Sequence, residues 1–259
     1  MTDIININSI PIFLLILVRV AAFFVTLPLF SYRTIPFPFK IGFSFFLAFM
    51  MFYTVDASAV IIDEMYLFLL VKEALVGLLI GLIAFIILSA VQVAGGFIDF
   101  QMGFAIANVM DPQTGAQSPL TGQYLYIFAL LFLLSVNGHH LLIDGIVNSY
   151  HVIPIDAFIP FQDRSIADFV IETFNQMFLI AFQMAIPIVG CLFLVDVALG
   201  IIARTVPQLN VFVVGLPLKI LVSFIVIFFF LSLYIVLARN LFDIMFDTMR
   251  RLMQLFGGA

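Results

Sequence analysis

The sequence has few charged residues. Only 10% of its 259 residues are charged, whereas 64% are hydrophobic and the mean hydropathy is +1.27. A soluble domain has about 25% charged residues, so this composition excludes an ordinary water-soluble enzyme. No Pro/Gly/Ser-rich linker separates halves of different composition. We therefore predict a single helical membrane unit over residues 1–259, whose excess apolar surface is covered by lipid or by a large apolar partner.

Basic residues and cysteines are also scarce. The 10 Lys and Arg residues are outnumbered by 15 Asp and Glu residues, and no basic run could neutralise successive phosphates, which excludes nucleic-acid binding. Cys191 has no second cysteine for a disulfide or a Cys-based metal site. Residues 1–10 lack the positive charge that begins a secretory signal peptide, so we expect the first apolar segment to be retained.

Sequence motifs of catalysis are absent. There is no G-x-S-x-G, P-loop or G-x-G-x-x-G motif. His139 and His140 are adjacent, and on a helix they would diverge by about 100°, unlike the i, i+4 pair that binds zinc on one face. We predict that the chain is not an enzyme and uses no cofactor.

Long apolar runs make up most of the sequence. Spanning a hydrocarbon core takes about 20 helical residues. Pro187 lies inside the fifth run and predicts a kink. The predicted fold is an all-α, polytopic integral membrane protein with about six hydrophobic helical segments, kinked helical hairpins and no sheet. The six runs are residues 10–30, 41–62, 74–98, 124–143, 173–195 and 211–238.

Beyond the sixth run, residues 240–256 form a different pattern. Apolar residues recur there at three- and four-residue spacing, with charged residues between them, which predicts an amphipathic helix. Such a helix lies on the membrane surface or docks on a partner helix. We favour the partner helix, because Arg250 and Arg251 make a weak anchor to anionic lipid.

Two features inside the runs concern helix packing. Gly77 and Gly81 lie on one helix face and would let another helix approach closely. Several charges interrupt the runs, and charges at membrane depth usually face protein or water. We favour pairing between helices or subunits over an ion relay or an interfacial position, because the carboxylates are scattered. These charges are Arg19, Asp56, Lys72, Glu73, Asp196 and Lys219.

The charge distribution conflicts with six strictly alternating spans. The loop at residues 31–40 contains two prolines and two positive charges and is predicted to be cytoplasmic. The loop after the third run should then be cytoplasmic too, yet no Lys or Arg occurs between Lys72 and Arg164. Either the topology differs from strict alternation, or the helices lie in a protein assembly in which the positive-inside rule loses its force.

The stretch between the third and fourth runs, residues 96–122, carries the densest pattern. Its second half is irregular, with Pro112, Gly115, Pro119 and Gly122, and its first half is apolar and contains methionine. Irregular backbone at membrane depth is tolerated only where it is buried in protein or lines an aqueous cavity. The stretch is therefore a pore-lining or gating loop, or else a surface turn in which Asp111-Pro112 ends a helix.

These residues resemble those of a known family. The run Phe100-Gln-Met-Gly-Phe-Ala precedes Asp111-Pro112, Gly115 and Pro119, and Val136-Asn-Gly-His139 closes the fourth run. A second stretch, Ala203-Arg-Thr-Val-Pro-Gln-Leu-Asn-Val-Phe-Val-Val-Gly-Leu-Pro-Leu218, lies between the last two runs. Both are similar to motifs of the FliR family of flagellar biosynthesis proteins. The motif residues are Gln101, Gly103, Asn137, Gly138, His139, Pro207, Gly215 and Pro217.

The resemblance covers nearly the whole chain and implies a subunit of the flagellar type III export gate. That gate is a channel complex in the bacterial inner membrane and flagellar basal body, through which unfolded flagellar subunits leave the cytoplasm. The family member joins FliP and FliQ in a staggered helical ring, with FlhB around the cytoplasmic entrance and FlhA as a further partner. The ring lies largely at or above the membrane plane, which would explain the failure of the charge rule.

The resemblance further implies that residues 105–122 match the family's pore plug. Thioethers and an aromatic ring can fill an irregular constriction and reopen around a passing chain. The hypothesis is that Met102, Phe104, Val109 and Met110 seal the lumen, while Pro112 and Gly115 set the turn. The candidate gate residues are Met102, Phe104, Val109, Met110, Asp111, Pro112, Gly115 and Pro119.

Two other functions stay open. A secondary transporter or channel subunit for a small solute often shows internal repeats with interrupted helices, and Pro187 and Pro217 have no clear counterparts in the second and third runs. A structural scaffold without contact to a lumen would tolerate a Gly/Ser linker in place of the loop.

Overall fold

The computed structural model describes residues 10–32, 35–55, 64–104, 109–110, 117–156, 164–206, 208 and 210–257. The predicted all-α class is confirmed. A two-residue antiparallel pair is added to it, with Val109 opposite Ser118 and Met110 opposite Gln117. The elements are α1 (Ile10–Thr26), α2 (Phe37–Phe52), α3 (Glu64–Met102), β1 (Val109–Met110), β2 (Gln117–Ser118), α4 (Leu120–Ser135), α5 (Gly138–Val152), α6 (Arg164–Thr205) and α7 (Val211–Gly257).

The long helices confirm a polytopic membrane protein. Among the described residues, α3, α6 and α7 are long and apolar enough to cross a membrane, and the broken pair of α4 and α5 counts as a fourth span if taken together. Their 39, 42 and 47 residues are about twice what a hydrocarbon core requires. The apolar helices α1 and α2 are shorter, at 17 and 16 residues.

Several helix boundaries differ from those expected, since α2 ends at Phe52 and α3 and α6 begin at Glu64 and Arg164. Two further differences change the number of helices. The fourth run is divided between α4 and α5 because Asn137 adopts a left-handed conformation with φ of 58°, which a continuous helix does not permit. The sixth run and residues 240–256 form one helix, α7, rather than two. No proline or glycine lies between Leu218 and Phe256 to interrupt it.

The chain divides into two compact units. Unit 1 comprises Met1–Ile87, Asn137–Phe174 and Ile244–Ala259, and unit 2 comprises Leu88–Val136 and Asn175–Asp243. In unit 1, α1 and α2 pack through aromatic rings. The ring centroids of Phe13 and Phe45 are 5.2 Å apart, and those of Phe24 and Phe43 are 5.1 Å apart.

The glycine pair of α3 packs against α1 in unit 1, as predicted. A Cβ atom added at Gly77 would meet the carbonyl oxygen of Arg19, and one added at Gly81 would meet the hydroxyl of Thr26. The absence of side chains at these two positions therefore permits the close approach of the two helices.

The amphipathic end of α7 packs on its own chain. Its apolar residues, including Met249 and Phe256, are buried, whereas Arg250 and Gln254 are exposed. A Cβ atom at Gly145 of α5 would lie 3.5 Å from the Met249 side chain, and Gly257 touches Val152 at the end of α5. The apolar face expected to meet a partner helix thus meets α5 within unit 1.

Candidate functional site

The loop between α3 and α4 begins and ends in unit 2. Helix α3 ends at Met102 and α4 begins at Leu120, with β1 and β2 between them. We call the two helix ends that carry the loop, residues 95–103 and 119–122, the stem. The side-chain contacts of the predicted plug region lie mainly in the stem.

At the returning end of the stem, a buried carboxylate binds the start of α4. Asp99 is 2% exposed, and its two carboxylate oxygens accept the backbone N–H of Thr121 at 3.1 and 3.3 Å. The first N–H groups of a helix have no partner within the helix, and the helix dipole there favours a negative charge. Asp99 therefore fixes the point at which the chain re-enters a helix.

The two helices of the stem touch through their backbones. A Cβ atom added at Gly95 would overlap the backbone of Gly122, and one added at Gly122 would lie 2.8 Å from the carbonyl oxygen of Gln92. Pro119, which precedes α4, lies 3.4 Å from the position of a Cβ at Gly96. This contact keeps the two ends of the loop side by side.

At the outgoing end, Gly103 turns the chain away from α3. Its φ is +90°, and a Cβ atom there would lie 2.8 Å from Cδ1 of Leu216 on α7. Positive φ values of this kind favour glycine. The structure therefore gives a reason for Gly103 in the predicted family motif.

Gln101 joins an ion pair beside this turn. Its side-chain Nε2 donates to Oδ2 of Asp196 at 2.8 Å, and Nζ of Lys219 lies 2.7 Å from Oδ1 of the same carboxylate. Asp196 and Lys219 are thus paired between helices, as expected for charges inside the apolar runs, although the sequence did not predict them as each other's partners or the participation of Gln101.

The candidate gate residues have different positions. Met102 is fully buried, and its sulfur accepts a hydrogen bond from the Thr121 hydroxyl at 3.9 Å, so it belongs to the stem. Phe104 is half-buried and directly follows Gly103. Val109 and Met110 form β1. The candidates outside the described residues are Asp111, Pro112 and Gly115, together with Pro207 of the second motif.

The remaining motif residues fall in both units. Asn137, Gly138 and His139 belong to unit 1, where Asn137 precedes α5 and Gly138 is buried. Gly215 and Pro217 belong to unit 2, on either side of Leu216 in α7. Within the described ranges, no group of three or more His, Cys, Asp or Glu side chains could hold a metal ion.

A buried ion cluster lies in unit 1. Nε and Nη2 of Arg19 donate to the two carboxylate oxygens of Glu73 at 2.5 and 2.9 Å, and Nζ of Lys72 lies 2.8 Å from the same carboxylate. Glu73 and Arg19 are fully buried and Lys72 is 5% exposed. The expected pairing of these charges is confirmed, whereas Asp56 lies outside the described residues.

The cluster also binds the end of α5. Arg19 donates to the hydroxyl of Ser149 and to the carbonyl of Ile153, both at 3.0 Å. Lys72 donates to the carbonyls of Pro154 and Ile155, both at 2.8 Å. These carbonyls follow the last turn of a helix, where cations are favoured. The cluster thus has a structural role in unit 1.

Sequence reasoning missed Asp99 and Gly95 as parts of the site. Asp99 is the last charge of α3 before the loop, and Gly95 faces a glycine on the other side of it. The position of this carboxylate could have indicated its role, because the first backbone N–H groups of a helix that starts just after a loop need a hydrogen-bond acceptor.

Removal of the Asp99 side chain tests the stem. We expect Asp99→Ala to lower the free energy of unfolding by about 1–2 kcal/mol, because it removes an acceptor at the N-terminus of α4. Asp99→Asn should cost less, since its amide oxygen still accepts. The measurement is denaturant unfolding of the purified chain in detergent; equal costs for the two variants would contradict a role in capping.

Comparison with known proteins assigns the chain to a family. The family model for bacterial export proteins, family 1, matches residues 10–245. The flagellar biosynthetic protein FliR of Bacillus subtilis (strain 168) is 59% identical over 253 residues, which cover 97% of this chain and 98% of that protein. The chain belongs to family 1 of the bacterial export proteins.

Further relatives of this family 1 chain are more distant. The flagellar biosynthetic protein FliR of Escherichia coli (strain K12) is 29% identical over 234 residues, or 90% of this chain and 89% of that protein. The Yop proteins translocation protein T of Yersinia pestis is 35% identical over 159 residues, or 61% of each chain. The resemblance to the FliR family predicted from the motifs is confirmed.

Proposed function

We propose that this family 1 chain is a subunit of the flagellar type III protein export gate and that its loop between α3 and α4 closes the channel. The loop's attachment at both ends carries the proposal: Asp99 binds the start of α4, and Gly103 turns the chain out of α3. A loop whose first half is apolar and contains methionine, on a packed stem, has the properties of a plug, because the stem limits where the loop can move.

The proposed setting follows from the relatives. Their names refer to flagellar biosynthesis and to Yop protein translocation, and both processes move proteins. We propose FliP, FliQ, FlhB and FlhA as partners, unfolded flagellar subunits as the exported chains, and the inner membrane part of the flagellar basal body as the location. Apolar residues exposed on α6 and α7, such as Phe182, Phe193, Phe228 and Phe229, offer surface for these partners or for lipid.

Deletion of the loop tip tests the proposal. We expect cells in which residues 108–117 are deleted to lose potassium several times faster than wild-type cells, because the lumen loses its seal. Val109 lies opposite Ser118 and Met110 lies opposite Gln117, so the deletion removes residues from two chain segments that lie side by side and leaves every residue of the stem in the chain. The measurements are potassium efflux and the fluorescence of a membrane-potential dye.

Assembly serves as the control for this experiment. The deleted chain should still co-purify with FliP and FliQ in mild detergent, as identified by mass spectrometry. A second variant replaces residues 108–117 by a Gly/Ser linker of equal length and should also leak, because it lacks the apolar side chains. Unchanged efflux in both variants, with assembly intact, would favour a scaffold and refute the plug. A lone chain that transports a small solute in liposomes would refute the export gate.

A further inference from the structure

Three helices of unit 2 meet in one polar network where the loop leaves the stem. Gln101 is in the last turn of α3, Asp196 is on α6 and Lys219 is on α7. The Asp196 carboxylate accepts Nε2 of Gln101 on one oxygen, at 2.8 Å, and pairs with Nζ of Lys219 through the other, at 2.7 Å. One carboxylate therefore connects the end of α3 to α7.

The network is partly withdrawn from solvent and lies in apolar helices. The side chains of Lys219 and Asp196 are 19% and 37% exposed, and both helices are apolar enough to span a membrane. A single charge in such surroundings is unfavourable, whereas a paired charge with hydrogen bonds is tolerated. This environment favours the paired arrangement and resists separation of its members.

Helix α7 touches the start of the loop at a second point. Leu216 lies against Gly103, where a Cβ would be 2.8 Å from its Cδ1, and Leu216 precedes Lys219 by three residues. Residues three apart share a helix face. The same face of α7 therefore contacts Gly103 through an apolar side chain and Gln101 through the ion pair, so the direction in which the loop leaves α3 depends on α7.

We propose that the Gln101–Asp196–Lys219 network is a positioning device that, together with Leu216, fixes the direction in which the chain leaves α3 at Gly103. Asp196 is the central positioning residue, because both hydrogen-bonding partners depend on its carboxylate. This inference rests on the proposed function of the loop as a plug. The new element is that the position of the plug depends on α6 and α7, two helices that form no part of the loop itself.

Gln101→Met is the cleanest variant for a test. It removes the hydrogen bond to Asp196 but leaves the ion pair with Lys219, so unit 2 keeps its charges paired. Asp196→Asn and Lys219→Met break the ion pair itself. The double variant Asp196→Lys with Lys219→Asp restores an ion pair with the two charges exchanged. The Gln101 side chain can also bond to the new ammonium at position 196, because its amide oxygen accepts a hydrogen bond as readily as its NH₂ group donates one. Arg251→Met, which breaks an exposed pair with Glu172 in unit 1, is the matched control.

The position of the loop is measured directly, by the distance between spin labels. Labels are placed at Met110→Cys in β1 and Ile127→Cys in α4, in the full-length chain with Cys191→Ser and within its complex. We expect a single narrow distance distribution for the wild type, Arg251→Met and the charge-reversed double variant. Gln101→Met, Asp196→Asn and Lys219→Met should broaden or shift it, and they should raise potassium efflux at least about threefold while assembly persists.

The outcomes separate the two proposals. An unchanged distance distribution in Gln101→Met and Asp196→Asn would overturn the network's role, even if loop deletion makes cells leak. The network's role would also be overturned if the charge-reversed double variant changed the distance distribution as much as the single variants do. A third outcome is that the distance distribution shifts in these variants while potassium efflux stays at the wild-type level, both in them and in the loop deletion. That result would support positioning of the loop by the network and refute the loop's role as a plug. If Asp196→Asn does not assemble, Gln101→Met decides alone.

Discussion

Glu73→Gln is expected to lower the free energy of unfolding by about 3–5 kcal/mol. The substitution preserves shape but removes the carboxylate charge that Arg19 and Lys72 share in the buried cluster of unit 1. Two adjacent cations would remain withdrawn from water without their shared carboxylate, and that desolvation is not compensated by an amide. The measurement is denaturant unfolding of the purified full-length chain in detergent, followed by circular dichroism.

The order of effects within the cluster provides a sharper test. Arg19→Met should cost less than Glu73→Gln, because Lys72 still pairs with the carboxylate at 2.8 Å. Glu172→Gln is the matched control, since its pair with Arg251 is 3.7 Å long and more than half exposed. Exposed pairs contribute only about 0–1 kcal/mol. If Glu73→Gln and Glu172→Gln change stability equally, the cluster does not stabilise unit 1.

Gly95→Ala is expected to cost about 3 kcal/mol, the upper end of the usual range for overpacking. The added methyl group would overlap the backbone of Gly122, and a backbone cannot change rotamer to make room. The helices α3 and α4 would have to separate, which weakens the packing and hydrogen bonds that join the two ends of the loop. We therefore also expect the loop in this variant to be cleaved faster by a protease.

Gly190→Ala is the matched control for this substitution. Gly190 lies in α6 of the same unit, and a Cβ atom there would meet nothing within 4 Å. Alanine is favoured over glycine in a helix by about 1 kcal/mol, so this variant should be as stable as the wild type or more so. The two variants make the same chemical change and are predicted to act in opposite directions. A stable Gly95→Ala variant would mean that the stem is not closely packed.

The helical class was predictable because it depends on composition and periodicity. Long apolar runs with few charges require helices in lipid, where every backbone polar group must be satisfied within its own segment. The boundaries were less predictable, since they depend on single residues. Asn137 divides a run of apolar helix by adopting a left-handed conformation, while Arg239 and Asn240 do not divide α7 at all.

The candidate site was predictable in place and only partly in structure. The irregular composition of residues 96–122 indicated the loop, and Gly103 proved to sit at its turn. Met102 was predicted among residues that face a lumen, yet it lies in the core of unit 2. An apolar side chain next to a loop has the same sequence pattern whether it faces a channel or its own helix, so periodicity does not distinguish the two.

The sequence by itself determined that this chain is helical, apolar and a member of an export family, and it favoured pairing of the charges inside the apolar runs. Only the tertiary structure decided the partners. Arg19 meets Glu73 across 54 positions, and Gln101 meets Asp196 across 95. The cost of an isolated charge is a property of each residue and can be read along the chain. The choice of partner depends on which helices pack together, and that is settled by the three-dimensional fit of their surfaces.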